Sequence, residues 1–343
     1  MVTEELTERE IQVFLSIVHG FVKTAEPVGS RYLAKHYKLG ISPATIRNVM
    51  MDLEDKGMIR QPHTSSGRVP TTLGYRQYVD SLMGVKALTA GEKRTIIEEM
   101  SQISKDIELL TSKASQVLSK ISSQLGIVLS PRFHRGILNK IELVSLSNNK
   151  LLLVLDIRSG LVKTIILELQ EDFSDHFLQS CIHLLNERLA GLSISEIEKA
   201  LRDGFTDVDI KMRLLVQMIS DGTDQIFKAP TPDFYVSGAK NVLDQPEFYE
   251  RERIGKILEL LDNKDILIRV LSEQESDGVS IVIGDENRET LMKNCSLITT
   301  TYQIKDSLGT LGVIGPTRMR YDKIIALVQF MADTLSYLIN KNE

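Results

Sequence analysis

The sequence predicts an α+β multidomain protein: a small helical N-terminal domain closed by one hairpin, then a larger α+β domain interrupted by a mainly helical insertion. Three observations carry that prediction. Apolar residues recur at helical spacing between Ile11 and Leu53. From Ile137 the period shortens to that of strands, with polar or glycine-containing turns between runs. Strands then resume after a long helical stretch, the pattern left when one α+β domain is split by an insertion.

The chain has 343 residues, enough for two or three domains at about 150 residues each. With 42% hydrophobic and 25% charged residues, its composition is that of a folded globular protein. No run without Asp, Glu, Lys or Arg exceeds 12 residues, whereas a membrane-spanning helix needs about 20 apolar ones. The opening MVTEELTERE is acidic where a signal or transit peptide is basic. Only Cys181 and Cys295 are present, far apart and in no CxxC pattern, so no disulfide framework or zinc ribbon is expected and the cytoplasm is the default compartment.

Thr7 and Glu10 have the spacing of a capping box, and Ile11, Phe14, Leu15, Val18 and Val22 give the first helix one apolar face. Thr24–Pro27 breaks it. Ser30 is placed to cap a short second helix through about Tyr37, followed by a turn over Lys38–Ile41 that contains Gly40. Ser42-Pro43 then reads as an N-cap with proline at the first helical position, and Gly57 as a left-handed stop after Lys56. Within that third helix Ile46, Val49, Met50 and Leu53 face inward, which turns Ala44, Thr45, Arg47 and Asn48 outward. Met58–Arg60 and Arg68–Pro70 read as two short strands around a small-polar loop, and Thr71 as the cap of a further helix.

Helix, short helix, turn, helix and hairpin is the order of a winged helix-turn-helix, whose last helix enters the major groove by its N-terminal half. The outward side chains suit that task. Arginine can bridge guanine O6 and N7, asparagine can pair with adenine, and alanine or threonine can touch a thymine methyl. Net charge points the same way once it is divided by position. The whole chain is at −5, but Lys23 to Arg76 holds nine Lys/Arg against four Asp/Glu, a +5 segment on a −10 remainder. The expected DNA-contacting set is Ser42, Ala44, Thr45, Arg47 and Asn48 on the third helix, with Lys35, Arg60 and Arg68 on phosphates and His63, Thr64 and Ser65 at the wing. The competing reading is a tri-helical protein-binding domain with a solvated basic face.

The segment PVGSRYLAKHYKLGISPATIRNVMMDLEDKGMIRQPHTSSGRVPTTLGYRQYVD resembles the winged-helix domain of HrcA, the family of bacterial heat-inducible transcription repressors. QPHTSSGRVPT is its most specific run, with Ser66 where the family more often has alanine. The likeness resumes in CSLITTTYQIKDSLGTLGVIGPTRMRYDKII and is weakest over about 85–235. It implies a GAF-like domain interrupted by an inserted dimerising domain. It further implies a homodimer on double-stranded DNA, the inverted repeat CIRCE upstream of chaperone operons, and dependence on the GroEL chaperonin.

Between the ends, Ile96, Met100, Ile103, Ile107, Leu110, Ala114, Val117 and Ile121 form a heptad stripe. It fits either a dimer seam or one long helix packed along its own C-terminal domain. Ile141–Leu146, Lys150–Asp156 and Leu161–Leu169 read as an antiparallel meander, Phe173 to about Phe227 as helical, and Tyr235-Val236 as a strand. A helix over Ile254–Leu261, strands over Val279–Ile283, Leu297–Gln303 and Leu311–Ile314, and a final amphipathic helix follow. The expected division is 1–84 winged helix, 85–126 helical linker, 127–172 with 236–343 GAF-like, and 173–235 inserted.

No catalytic, metal or cofactor site is expected. Gly309, Gly312 and Gly315 lack the endings and spacing of a phosphate loop and read as hairpin and turn residues. His176 and His183 are seven apart, too far for the usual helical ligand pair. The rival function is a small-molecule-sensing winged-helix regulator that uses the GAF-like domain.

Overall fold

A computed structural model of the chain describes residues 6–63, 66–103, 106–131, 136–147, 149–158, 162–169, 173–227, 234–273, 278–305 and 307–341. The N-terminal elements are α1 (Glu8–Thr24), α2 (Ser30–His36), α3 (Pro43–Asp55), β1 (Ile59–Arg60), β2 (Val69–Pro70) and α4 (Thr72–Gln77), the last running into a π-helical turn over Tyr78–Leu82. Thr7 caps α1 through the full capping box, and Ala25 ends it in the left-handed conformation. The second helix departs from expectation: Gly29 is its N-cap, and Ser30 is its first helical residue, with no capping bond. The strands pair Ile59 with Pro70 and Arg60 with Val69, and Val28 bridges Arg68 on the other side.

The heptad stripe is broken. It falls on α5 (Ala90–Ser101) and α6 (Ile107–Ser122), and Asp106 starts the second helix afresh by accepting from the backbone N–H groups of Glu108 and Leu109 at 2.8 and 3.2 Å. Ile96, Met100, Leu110, Ala114 and Val117 are buried within the chain's own core, which corrects the dimer-seam reading and the single long helix alike. Both helices lie on the body of the same chain, so the stripe repeats without a continuous helix beneath it.

Five antiparallel strands form the main sheet in the order β7 (Phe234–Ser237), β3 (Leu125–Leu129), β10 (Ser307–Pro316), β9 (Cys295–Ile304) and β8 (Ser280–Ile283). β3 was not expected; it is an interior strand that straddles the boundary drawn at 126 between the helical linker and the GAF-like stretch. Its alternation places Leu125, Ile127 and Leu129 on one face and Val128 on the other. The first face packs on α10 (Ala239–Leu243), α11 (Arg251–Asp262) and α12 (Lys264–Ser272) through Val242, Ile257, Leu260, Leu267 and Leu271. The second packs on α6 and α13 (Tyr321–Asn340).

The meander β4 (Leu138–Ser147), β5 (Lys150–Ile157) and β6 (Val162–Glu168) belongs to a separate three-stranded sheet. Its buried residues share a core with α7 (Asp175–Leu189), α8 (Ile194–Asp203) and α9 (Ile210–Phe227), not with the five-stranded sheet. The boundary expected at residue 173 is therefore too late, because the strands and helices on either side of it bury their apolar faces against each other. The N-terminal helices, by contrast, are continuous with the core of the main sheet through Tyr75, Tyr78, Leu88 and Tyr321.

Candidate nucleic-acid interface

The best-defined surface of unusual chemistry is the exposed side of α3. Ser42 accepts from the backbone N–H of Thr45 at 3.1 Å, and the two hydroxyls are 2.9 Å apart, so the helix start is fixed by its own first turn. Ile46, Val49, Met50 and Leu53 are buried on one side. Ser42, Ala44, Arg47 and Asn48 are exposed on the other, with Thr45 half-buried beside the cap. The opposite burial of the two faces is what aims Arg47 and Asn48 outward.

Charge gathers around this helix. Of the nine basic residues between Lys23 and Arg76, three are engaged: Lys56 with Glu10, Arg68 with Glu54, and Arg76 with Asp80 and Glu286. Lys23, Arg31, Lys35, Lys38, Arg47 and Arg60 are all exposed, and none of these six makes an ion pair among the described residues. Lys35 lies on α2 and Arg60 on β1, flanking α3.

Arg68 does not behave as an expected phosphate ligand. Its Nε and Nη2 each lie 2.8 Å from Oε2 of Glu54, with only 18% of the side chain exposed. Its backbone is held too, since Val28 and Arg68 exchange N–H···O=C bonds at 2.9 Å. Gly67 allows this approach, because a Cβ there would stand 2.4 Å from the Val28 carbonyl carbon. His63 is exposed and its backbone N–H donates to the Ser66 hydroxyl at 3.0 Å, while that hydroxyl donates to the His63 carbonyl at 2.7 Å. Thr64 and Ser65 lie outside the described residues.

Glu54 is not among the residues that the sequence singles out. A signal was present: a carboxylate in the last turn of a helix opposes the helix dipole and calls for a cation nearby.

Comparison with known proteins bears on the whole chain. Residues 108–325 match the family model described as HrcA protein C terminal domain. The heat-inducible transcription repressor HrcA of Chlorobium phaeobacteroides (strain BS1) is 40% identical over 99% of this chain and 100% of its own length. That of Chlorobium limicola is 38% identical over 99% of each. The chain belongs to the HrcA family of heat-inducible transcription repressors.

Among solved structures, a hypothetical protein known from a crystal structure at 2.2 Å is similar to this HrcA-family chain with a TM-score of 0.63 at 20% identity, covering 99% of this chain and 100% of that one. That likeness concerns the fold alone. Gly309, Gly312 and Gly315 all lie within β10 rather than in a turn. Cys181 and Cys295 are buried in different cores, and burial pushes both thiols up to about 12, far from a reactive thiolate. His176 and His183 are exposed on α7, and among the described residues no group of three or more His, Cys, Asp or Glu is placed to hold a metal. No helix among them is long and apolar enough to cross a membrane.

Proposed function

We propose that the chain is a sequence-specific DNA-binding repressor in which α1–α4 and the β1–β2 hairpin act as a winged helix-turn-helix. The N-terminal half of α3 enters the major groove, where Arg47 and Asn48 read base edges and Ala44 and Thr45 meet methyl groups. Ser42 holds the start of the helix. Lys35 and Arg60 contact phosphates, and His63, Thr64 and Ser65 belong to the wing. The observation that carries this reading is the exposed Arg47–Asn48 pair on a helix whose other face is buried, within a surface of six exposed basic residues that make no ion pair among the described residues. Arg68 leaves the phosphate set, because Glu54 already holds its guanidinium.

A homodimer reading an inverted repeat is supported by the outer face of the β4–β6 sheet. Val144, Leu152 and Ile166 stand in register across the three strands, with Val154, Leu146 and Val162 around them. Val144, Leu146, Val162 and Ile166 are 44–59% exposed, an apolar patch of the kind that marks a protein interface. Family membership supports CIRCE as the repeat and GroEL as the modulator. The five-stranded sheet with helices on both faces fits the GAF-like description. Side chains pack both of those faces, so nothing in the sheet favours the small-molecule-sensing alternative.

The test is footprinting and equilibrium binding on a duplex carrying CIRCE and on a scrambled duplex, with and without GroEL. Arg47→Ala and Asn48→Ala should each cost about 1–3 kcal/mol on CIRCE and relax the preference at one base. An Arg47→Ala, Asn48→Ala double variant that stays folded and binds CIRCE as the unaltered protein does would overturn the reading.

A further inference from the structure

We infer that Glu54 is a positioning residue for DNA binding: it ties both legs of the hairpin to α3 and so sets the wing relative to the reading helix. The inference rests on the winged-helix reading above and adds a role that the exposed residues do not supply.

The two oxygens of Glu54 serve different strands. Oε1 accepts the backbone N–H of Gln61, just past the outgoing strand, at 3.1 Å. Oε2 accepts Nε and Nη2 of Arg68, at the start of the returning strand, both at 2.8 Å. Glu54 lies in the last turn of α3, at the opposite end from Arg47 and Asn48. Among the described residues one two-residue ladder joins the hairpin strands, so that ladder gives the hairpin little sheet of its own to stiffen it. Other ties act on the same two residues. The Gln61 side-chain amide donates to the Ser66 carbonyl at 3.1 Å, and the Arg68 backbone is paired with Val28.

The consequence is preorganisation. Contacts from α3 and from the hairpin reach one duplex together only if the angle between them is already set, and a loose hairpin must be ordered at the cost of affinity. A guanidinium engaged by a carboxylate, with its stem packed inward, contributes to that angle rather than to counterion release. Arg68 and Glu54 therefore act as one unit.

The experiment uses the full-length chain and an inverted-repeat duplex that the unaltered protein recovers from random-sequence DNA. Glu54→Ala and Arg68→Ala should each weaken binding about tenfold, and the double variant by about the same tenfold rather than a hundredfold. The slope of log affinity against log salt should be unchanged in all three. Without DNA, hydrogen exchange at the Gln61 amide should quicken in Glu54→Ala and stay slow in Glu54→Gln, whose amide oxygen still accepts that bond. Should Glu54→Ala fold poorly, the exchanged pair Glu54→Arg with Arg68→Glu serves instead, and it should restore binding that either single change weakens.

Two results overturn the inference. One is Glu54→Ala binding as tightly as the unaltered protein or tighter. The other is Arg68→Ala flattening the salt slope by about one unit, the signature of a phosphate contact. Failure of the parent reading looks different, since the unaltered protein would then recover no preferred sequence.

Discussion

Glu10 places one carboxylate at the meeting point of two helices. It accepts from the backbone N–H and the hydroxyl of Thr7 at 2.7 and 2.9 Å, closing the capping box of α1, and pairs with Lys56 just past the end of α3 at 2.8 Å. Burial by itself would raise its pKa; the bonds from Lys56 and Thr7 outweigh burial and hold it below the ordinary glutamate value. A depressed carboxylate stabilises the fold above its unfolded pKa, and that contribution is lost as pH falls through the folded one. Thermal melts followed by circular dichroism should therefore show stability dropping as pH is lowered from 4.5, with a smaller drop over the same window in Glu10→Gln. An equal pH dependence in both proteins would refute this account. The capping half of this arrangement was legible, because Thr7 and Glu10 are three residues apart. The Lys56 half was not, since only the packing of α1 on α3 brings residues so distant in sequence together. Arg68 teaches the same lesson: its charge is plain in the sequence, but whether it meets a phosphate or Glu54 is decided by the fold.

At the scale of elements, the amphipathic pattern identified helices and strands more readily than it assigned them to a core. Burial alternates along β5 and β6, yet alternation says only that one face is buried, not which helices bury it. That face meets α7–α9, which leaves the opposite face, with Val144, Leu152 and Ile166, uncovered among the described residues. If this face joins two copies, Val144→Glu with Ile166→Glu should give a monomer by sedimentation with an unchanged circular dichroism spectrum, because both residues are exposed in the single chain. A dimer persisting at low micromolar concentration would place the interface elsewhere. β3 escaped notice for a related reason. Its five residues Leu125–Leu129 are all buried, and a short unbroken apolar run does not distinguish a central strand from the end of a helix.

Across the whole molecule, the N-terminal helices are bolted to the body rather than tethered to it. Arg318, just before α13, donates Nη1 to the Val22 carbonyl near the end of α1 at 2.9 Å while pairing with Glu247 and bonding Gln245 at 3.0 Å. Arg76 on α4 reaches the Glu286 carboxylate at 2.8 Å and the Ile281 carbonyl at 2.7 Å, and the Tyr75 and Tyr321 rings lie 5.7 Å apart between them. Arg318→Ala removes a largely buried guanidinium and strands Glu247, so it should cost about 3 kcal/mol in guanidinium unfolding. It should also quicken exchange of amides at the α1–body contact. A loss below about 0.5 kcal/mol, the usual range for surface changes, would show that this contact does not hold the units together.

The local order of the N-terminal region is written in the chain: capped helices, a helix with Arg47 and Asn48 outward, a short hairpin, and a basic segment on an acidic chain. These depend on spacing, caps and turn residues, which act over a few positions. Long-range packing makes the heptad stripe two helices that cover the chain's own body. The same packing joins the meander to the helices that follow it and brings Glu54 onto Arg68 and Gln61. Each of these turns on which surfaces meet across long separations in sequence. Periodicity along the chain reports that a face is buried, but carries no record of its partner.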